Sequence, residues 1–186
     1  MFDPRLQAKV VNVVDVSYGF ENGLNQAIEK SCESLANVKF MKEKEIISQF
    51  FDHIALGDNM VVYGIQETMK YLESGVVGKI VCFEGLDYLR IRVKNVETGA
   101  LSTIYTKPEN ASNAALYKDG DVELERIYEE DEEDSLAEWI AHHYKDFGCE
   151  LEFVTDKSPE GTQFLKGFSG LGGFLRYKVD LEAQEA

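Results

Sequence analysis

The stretch that decides the fold runs from Gly161 to Asp180 and reads G-T-Q-F-L-K-G-F-S-G-L-G-G-F-L-R-Y-K-V-D. Five of its twenty residues are glycine. Glycine tolerates positive φ and close backbone approach, so the cluster predicts a shaped turn. From Phe174 to Asp180 the residues alternate as on a strand, with Leu175, Tyr177 and Val179 facing a core and Phe174, Arg176, Lys178 and Asp180 facing outward. A dinucleotide fingerprint on Gly170 and Gly172 needs a third glycine where Leu175 stands, and a helix after it instead of a strand. A nucleophile elbow G-x-S-x-G fails at its fifth place, where Gly167-Phe168-Ser169-Gly170 is followed by Leu171. The glycines therefore read as structural.

Upstream of this stretch, Ser158-Pro159 starts a short helix, proline being suited to a first helical turn, and Leu151 to Val154 is a strand. Ser135-Leu136-Ala137-Glu138 is a capping box that opens a helix with Leu136, Trp139, Ile140, Tyr144 and Phe147 on its apolar face and Gly148 as its stop. His142 and His143 are adjacent, about 100° apart on the helix, and so do not form an i, i+4 metal pair; His143 falls in the apolar arc as a hydrogen-bonded packing residue. Before that helix lies Glu129 to Asp134, E-E-D-E-E-D, which reads as a solvated loop without the ligand spacing of a calcium site.

Further back, Leu89 to Val96 and Leu101 to Thr106 form a hairpin, the chain from Lys107 to Gly120 is rich in turns, and Val122 to Tyr128 alternates as a further strand. Lys79 to Phe83 is an apolar run suited to a strand buried on both faces, with Cys82 as a core residue. Val61 to Tyr63 is a short strand. The helix after it turns Ile65, Thr68, Met69 and Leu72 inward and stops at Gly75, which suggests a parallel crossover. Phe40 to Ile54 is a helix whose apolar residues, including Ile47 and Phe50, fall in one arc; Gly57-Asp58 ends it. An earlier helix carries Leu24, Ala27, Ile28, Ser31 and Leu35 on one face, after a turn from Tyr18 to Gly23. Lys9 to Ser17, rich in valine, reads as a strand. The elements together predict an α/β fold: a mixed sheet with helices on both faces and a small β-rich insertion.

The chain has 186 residues and 44% hydrophobic content, enough for a core, and no apolar run long enough to span a membrane. Its start lacks the layout of a signal peptide. Cys32, Cys82 and Cys149 are odd in number and contain no C-x-x-C, which favours a reducing, cytoplasmic setting over zinc or disulfides. The net charge of −15 disfavours simple electrostatic binding to nucleic acid. No metal, cofactor or catalytic residue is expected.

Val154 to Phe164 (V-T-D-K-S-P-E-G-T-Q-F) and Gly167 to Tyr177 (G-F-S-G-L-G-G-F-L-R-Y) closely resemble the C-terminal domain of the stop-codon-reading, class 1 eukaryotic peptide chain release factors. The resemblance includes Phe2 to Val10, Asp15 to Glu29 and Asn37 to Phe40, and is weakest between about Gly99 and Asp134. Phe174 stands where the family usually has isoleucine, and Phe20 where it usually has glycine. The resemblance implies a fold similar to kink-turn-binding ribosomal proteins, a remnant of the middle domain (a strand) over 1–20, and a C-terminal domain over 21–186. It places a mini-domain insertion at about 88–128, followed by the acidic loop 129–134. It implies a role in translation termination without peptide release by this chain alone, since the family's G-G-Q tripeptide is absent. The implied partners are the class 2 release factor GTPase, the ribosome and the ribosome-recycling ABC-type ATPase. The family's element for the GTPase falls on Gly173, Phe174, Leu175, Arg176 and Tyr177. By alternation, Phe174 and Arg176 would make the contact while Leu175 and Tyr177 support it from the core. Two other readings stay open: a kink-turn RNA-binding domain, and a nucleotide-binding enzyme using the glycine loop.

Overall fold

A computed structural model of the protein describes residues 3–7, 9–127 and 135–179. After a single turn, α1 (Pro4–Gln7), comes one long helix, α2 (Phe20–Leu56). The sequence suggested two helices here, and the structure joins them. No glycine or proline interrupts the chain between Leu24 and Leu56, so the ladder of i→i−4 bonds is never broken. The two apolar stripes that looked like separate helices point in different directions: Leu24 and Ile47 are about 140° apart at about 100° per residue. Only the second stripe packs. Ile47 and Phe50 are fully buried, whereas Leu24, Ile28 and Leu35 are each at least half exposed. Gly57, in the left-handed conformation, closes the helix by donating to the His53 and Ile54 carbonyls.

The expected strand over Lys9 to Ser17 is also corrected. The described residues of this stretch form no strand and have no strand beside them. They run back along the first half of α2 and bond to its side chains instead. Asn12 Nδ2 donates to Ser34 Oγ, the Ser17 N–H to Gln26 Oε1, and Lys30 Nζ to the Asp15 carbonyl.

The main sheet has four strands, β1 (Val61–Tyr63), β2 (Val77–Phe83), β7 (Glu150–Val154) and β8 (Leu171–Leu175), in the order β1-β8-β2-β7. β8 is antiparallel to both neighbours and β2 is parallel to β7. β1 and β2 therefore run the same way, joined by α3 (Ile65–Glu73), with β8 inserted between them. Helices α3 and α4 (Leu136–His143) cover one face over Val62, Ile80, Cys82, Leu171 and Leu175. Helices α2 and α5 (Pro159–Phe168) cover the other over Val61, Val81 and Val154. This is the predicted mixed sheet between two helical layers. α2 is also pinned by a polar clamp: the buried Glu43 carboxylate accepts from the N–H and hydroxyl of Thr155, just past β7, at 3.0 and 2.7 Å.

A second, antiparallel sheet occupies the region expected for the insertion. It contains β3 (Leu89–Asn95), β4 (Leu101–Thr106), β5 (Lys118–Asp119) and β6 (Val122–Arg126), in the order β4-β3-β6-β5. The Asn95 side chain shapes the β3–β4 turn by accepting from the N–H groups of Glu97 and Thr98. The sheet is fastened to the main body where the Arg90 guanidinium lies 4.4 Å over Trp139 and the Leu136 N–H donates to the Tyr88 carbonyl. The helix starts at Ser135 as read, with Ser135 Oγ accepting from the Glu138 N–H at 3.4 Å. The acidic run Glu129 to Asp134 lies outside the described residues.

Candidate partner-binding site

The glycine-rich stretch folds differently from a single shaped turn. Gly161 and Gly167 lie within α5, the reversal is confined to Ser169 and Gly170, and the strand begins at Leu171 and ends at Leu175. Gly172 and Gly173 therefore sit inside a central strand. A Cβ at Gly172 would stand 2.9 Å from the Phe50 ring and 2.9 Å from the Val62 carbonyl oxygen; one at Gly173 would stand 2.9 Å from Val77 and 3.1 Å from the Lys79 carbonyl. Gly172 is needed because the long helix presses a phenyl ring onto the sheet, and Gly173 because Val77 of β2 closes over it. β8 is flanked on both sides by hydrogen-bonded strands, and Gly172 and Gly173 are in register with both. Their backbone is committed to the sheet and is no phosphate cradle.

The five residues expected to bind a partner take different places. Gly173 and Leu175 are buried and shape the strand. Phe174 is half-buried on the α2 face, with its ring edge-on to Phe50 at 5.7 Å and to His53 at 5.9 Å. Arg176 is exposed, as its place in the alternation predicts. Its side chain also bonds to the protein's own backbone, with Nε donating to the Val77 carbonyl at 3.2 Å and Nη2 to the Phe147 and Gly148 carbonyls at 3.3 and 2.7 Å. The planar fork ties three chain segments together at the end of the sheet. Tyr177 is a correction. The strand stops at Leu175, the alternation lapses, and Tyr177 is 57% exposed instead of facing the core. Val179 does pack partly against the core, as read.

Around Phe174 the structure gathers residues that the sequence reading had not joined to the site. His53 Nδ1 and Asp58 Oδ2 are 2.8 Å apart beside the Phe174 ring. The hydrogen bond from His53 is the main cause holding the Asp58 carboxyl below the usual aspartate range, with Lys178 adding a small favourable field. Farther along the same face, Phe168 meets Tyr63 at 5.1 Å and Phe51 at 5.5 Å, and Tyr63 is half exposed. Phe174, Tyr63 and Phe168 thus lie on the face of β1 and β8 that α2 and α5 cover, with Phe174 and Phe168 half-buried against the core and Tyr63 half exposed on the edge strand. The period-2 pattern of β1 was the available signal for Tyr63; nothing local marks His53 or Asp58.

The candidate nucleophiles Cys82 and Cys149 lie in the core on the opposite face of the main sheet. Cys82 is buried in β2, and burial pushes its thiol up to about 12. Cys149 is likewise raised by burial, and its thiol donates to the Tyr144 carbonyl. His143 is hydrogen-bonded to the Trp139 carbonyl and stacked on the Trp139 ring, a packing residue as read. Among the described residues no group of three His, Cys, Asp or Glu side chains is placed to hold a metal ion, and no helix is long and apolar enough to cross a membrane.

The family model described as eRF1 domain 3 matches residues 40–179. The chain belongs to the eRF1 domain 3 family. Curated relatives of this eRF1 domain 3 chain include the eukaryotic peptide chain release factor subunit 1 of Tetrahymena thermophila, 57% identical over 182 residues, covering 98% of this chain and 41% of the relative. Subunit 1-1 of Arabidopsis thaliana is 48% identical over 183 residues, covering 98% and 42%. The chain thus spans about two-fifths of the length of these release factors. Among solved structures, the C-terminal domain of a peptide chain release factor from Methanosarcina mazei is similar with a TM-score of 0.67, at 20% identity, over 88% of this chain and 99% of that one. At that identity the likeness shows a shared eRF1 domain 3 fold.

Proposed function

We propose that this chain is the partner-docking end of a stop-codon-reading release factor, and that it works in translation termination by binding the class 2 release factor GTPase. The reading is supported by the identity to release factor subunit 1 over nearly the whole chain, together with the element Gly173 to Tyr177, whose resemblance to the family's GTPase-binding element suggested it. The observation that carries it is the division of labour within that element. Gly173, Leu175 and Arg176 fix the end of β8, while Phe174 stands half-buried beside Phe50 and His53 and Tyr177, just past the strand, is exposed. Rigid aromatic side chains bury much area at little entropic cost, which suits them to be anchors of a protein interface. The ribosome and the recycling ABC-type ATPase are further partners in this reading, the setting is the cytoplasm, and the chain by itself neither catalyses a reaction nor releases a peptide.

Calorimetric titration of the folded chain with the class 2 GTPase tests this. Saturable binding is expected. A folded chain that shows none, while a full-length class 1 factor binds under the same conditions, would overturn it.

A further inference from the structure

Gly57 ends α2 in the left-handed conformation, and the chain turns back so that Asp58 meets a side chain five residues behind it. His53 Nδ1 and Asp58 Oδ2 are 2.8 Å apart. The other carboxylate oxygen, Oδ1, accepts from the Met60 N–H at 3.1 Å, and the Met60 carbonyl accepts from the Leu175 N–H at 2.8 Å. Leu175 follows Phe174, whose ring meets the His53 ring edge-on at 5.9 Å. The contacts close a loop through α2, the turn after it and the end of β8. A side chain near a helix end is thereby held in one place beside Phe174.

The same loop decides what each ring nitrogen does. An ionised carboxylate only accepts, and the Asp58 carboxyl is held below the usual aspartate range, chiefly by the hydrogen bond from His53. Nδ1 therefore carries a proton whether the ring is neutral or charged. Nε2 has no hydrogen-bond partner among the described residues and is not buried. The His53 side chain is 34% exposed. In its neutral form the ring thus turns an open acceptor to solvent next to Phe174.

We infer that His53 Nε2 accepts a hydrogen bond from the docked partner, which makes His53 a further contact residue beside Phe174. The inference rests on the reading that the class 2 release factor GTPase docks at the end of β8. A polar group already fixed in orientation loses little freedom when a partner arrives. Charge sets the chemistry of the partner's group. Around His53, Asp58 comes from the turn, the exposed Asp52 from α2, and Lys178 from beyond β8, while β1 and β8 contribute no charged residue. Two carboxylates against one ammonium, in a chain of net charge −15, favour an N–H or cationic donor over a carboxylate acceptor.

Histidine is the side chain that changes charge between about pH 5 and about pH 8, and protonation turns the Nε2 acceptor into a donor. Carboxylates and lysines keep their charge over most of that window. Binding of the class 2 GTPase to the parent chain, followed by calorimetric titration, is therefore expected to weaken about tenfold from about pH 7.5 to about pH 5.5. His53→Phe keeps a ring against Phe174 and removes both nitrogens. It is expected to bind about tenfold more weakly than the parent at about pH 7.5, and as well as the parent at about pH 5.5. His53→Gln, whose amide oxygen accepts and does not protonate, is expected to regain part of the affinity with a flatter pH profile. Melting curves at both pH values establish that each variant is folded. A purely structural His53 would leave the profiles of parent and His53→Phe parallel. Parallel profiles, equal affinity of the two chains at about pH 7.5, or tighter binding by the parent at about pH 5.5 would overturn the inference and leave the docking reading in place. A parent chain that binds at neither pH would overturn the docking reading and the inference with it.

Discussion

Arg176 donates to the carbonyl of Gly148 at 2.7 Å, across 28 residues of sequence, and the same guanidinium bonds to Val77 from 99 residues away. A side chain at the expected contact element is thereby a tie between the end of β8, the start of β2 and the turn after α4. Charged donors to backbone carbonyls contribute more than neutral ones. Arg176→Ala should therefore lower stability by about 1–3 kcal/mol. Arg176→Lys should recover little of this, since a single ammonium does not reach three carbonyls in the plane of a fork. Denaturant unfolding of both variants checks the claim; unchanged midpoints would return Arg176 to the list of free surface residues.

Gly172 lies under the Phe50 ring. Gly172→Ala should destabilise by about 1–3 kcal/mol, since its Cβ meets the Val62 carbonyl, which the sheet holds in place. The paired change Gly172→Ala with Phe50→Leu should cost less than the sum of the two single changes, because the smaller side chain makes room for the methyl. A thermal melt of all three variants measures that coupling.

Phe20 has φ of 56° and is fully exposed, so its ring contributes no packing while its backbone sits in the left-handed region. The release factors that the chain resembles usually have glycine there. Phe20→Gly should raise stability by about 1 kcal/mol, as relief from the left-handed penalty outweighs the added freedom of the unfolded chain. A lower melting temperature for Phe20→Gly would show that the ring has a contact of its own.

The His53–Asp58 pair makes the surroundings of Phe174 sensitive to acid. The folded-state pKa of Asp58 is depressed, so its contribution is present above the unfolded value of about 3.9 and is lost as pH falls through the lower, folded value. Carboxyl NMR should put the Asp58 midpoint below about 3.9. Below that pH the melting temperature of the parent chain should fall faster than that of Asp58→Asn. Parallel curves would remove the pair from the stability account.

Much of the fold was legible in local sequence. The apolar run of β2, the Ser135 helix start, the β3–β4 hairpin and the Gly57 stop each carry their signal within a few residues. What was not legible depends on distant partners. Gly172 and Gly173 look like turn glycines until Phe50, Val62 and Val77 are seen pressing on them. Arg176 looks free until the carbonyls of Val77, Phe147 and Gly148 arrive from elsewhere in the chain. Tyr177 looks inward because alternation was extended two residues beyond the last strand residue, Leu175. The long helix was divided because its apolar stripe changes side, and stripe direction records what each half packs against, not whether the helix continues.

In the proposed function Tyr177 and Phe174 present the contact surface while Arg176 holds it in place, and Tyr177→Ala separates these roles. Tyr177 is 57% exposed and lies beyond the strand. The account predicts a melting temperature close to that of the parent chain, within about 0.5 kcal/mol in stability. It also predicts binding to the class 2 release factor GTPase weakened by about 2 kcal/mol or more in the same titration. Undiminished binding by a fully folded Tyr177→Ala chain would contradict the account and move the contact surface away from the end of β8.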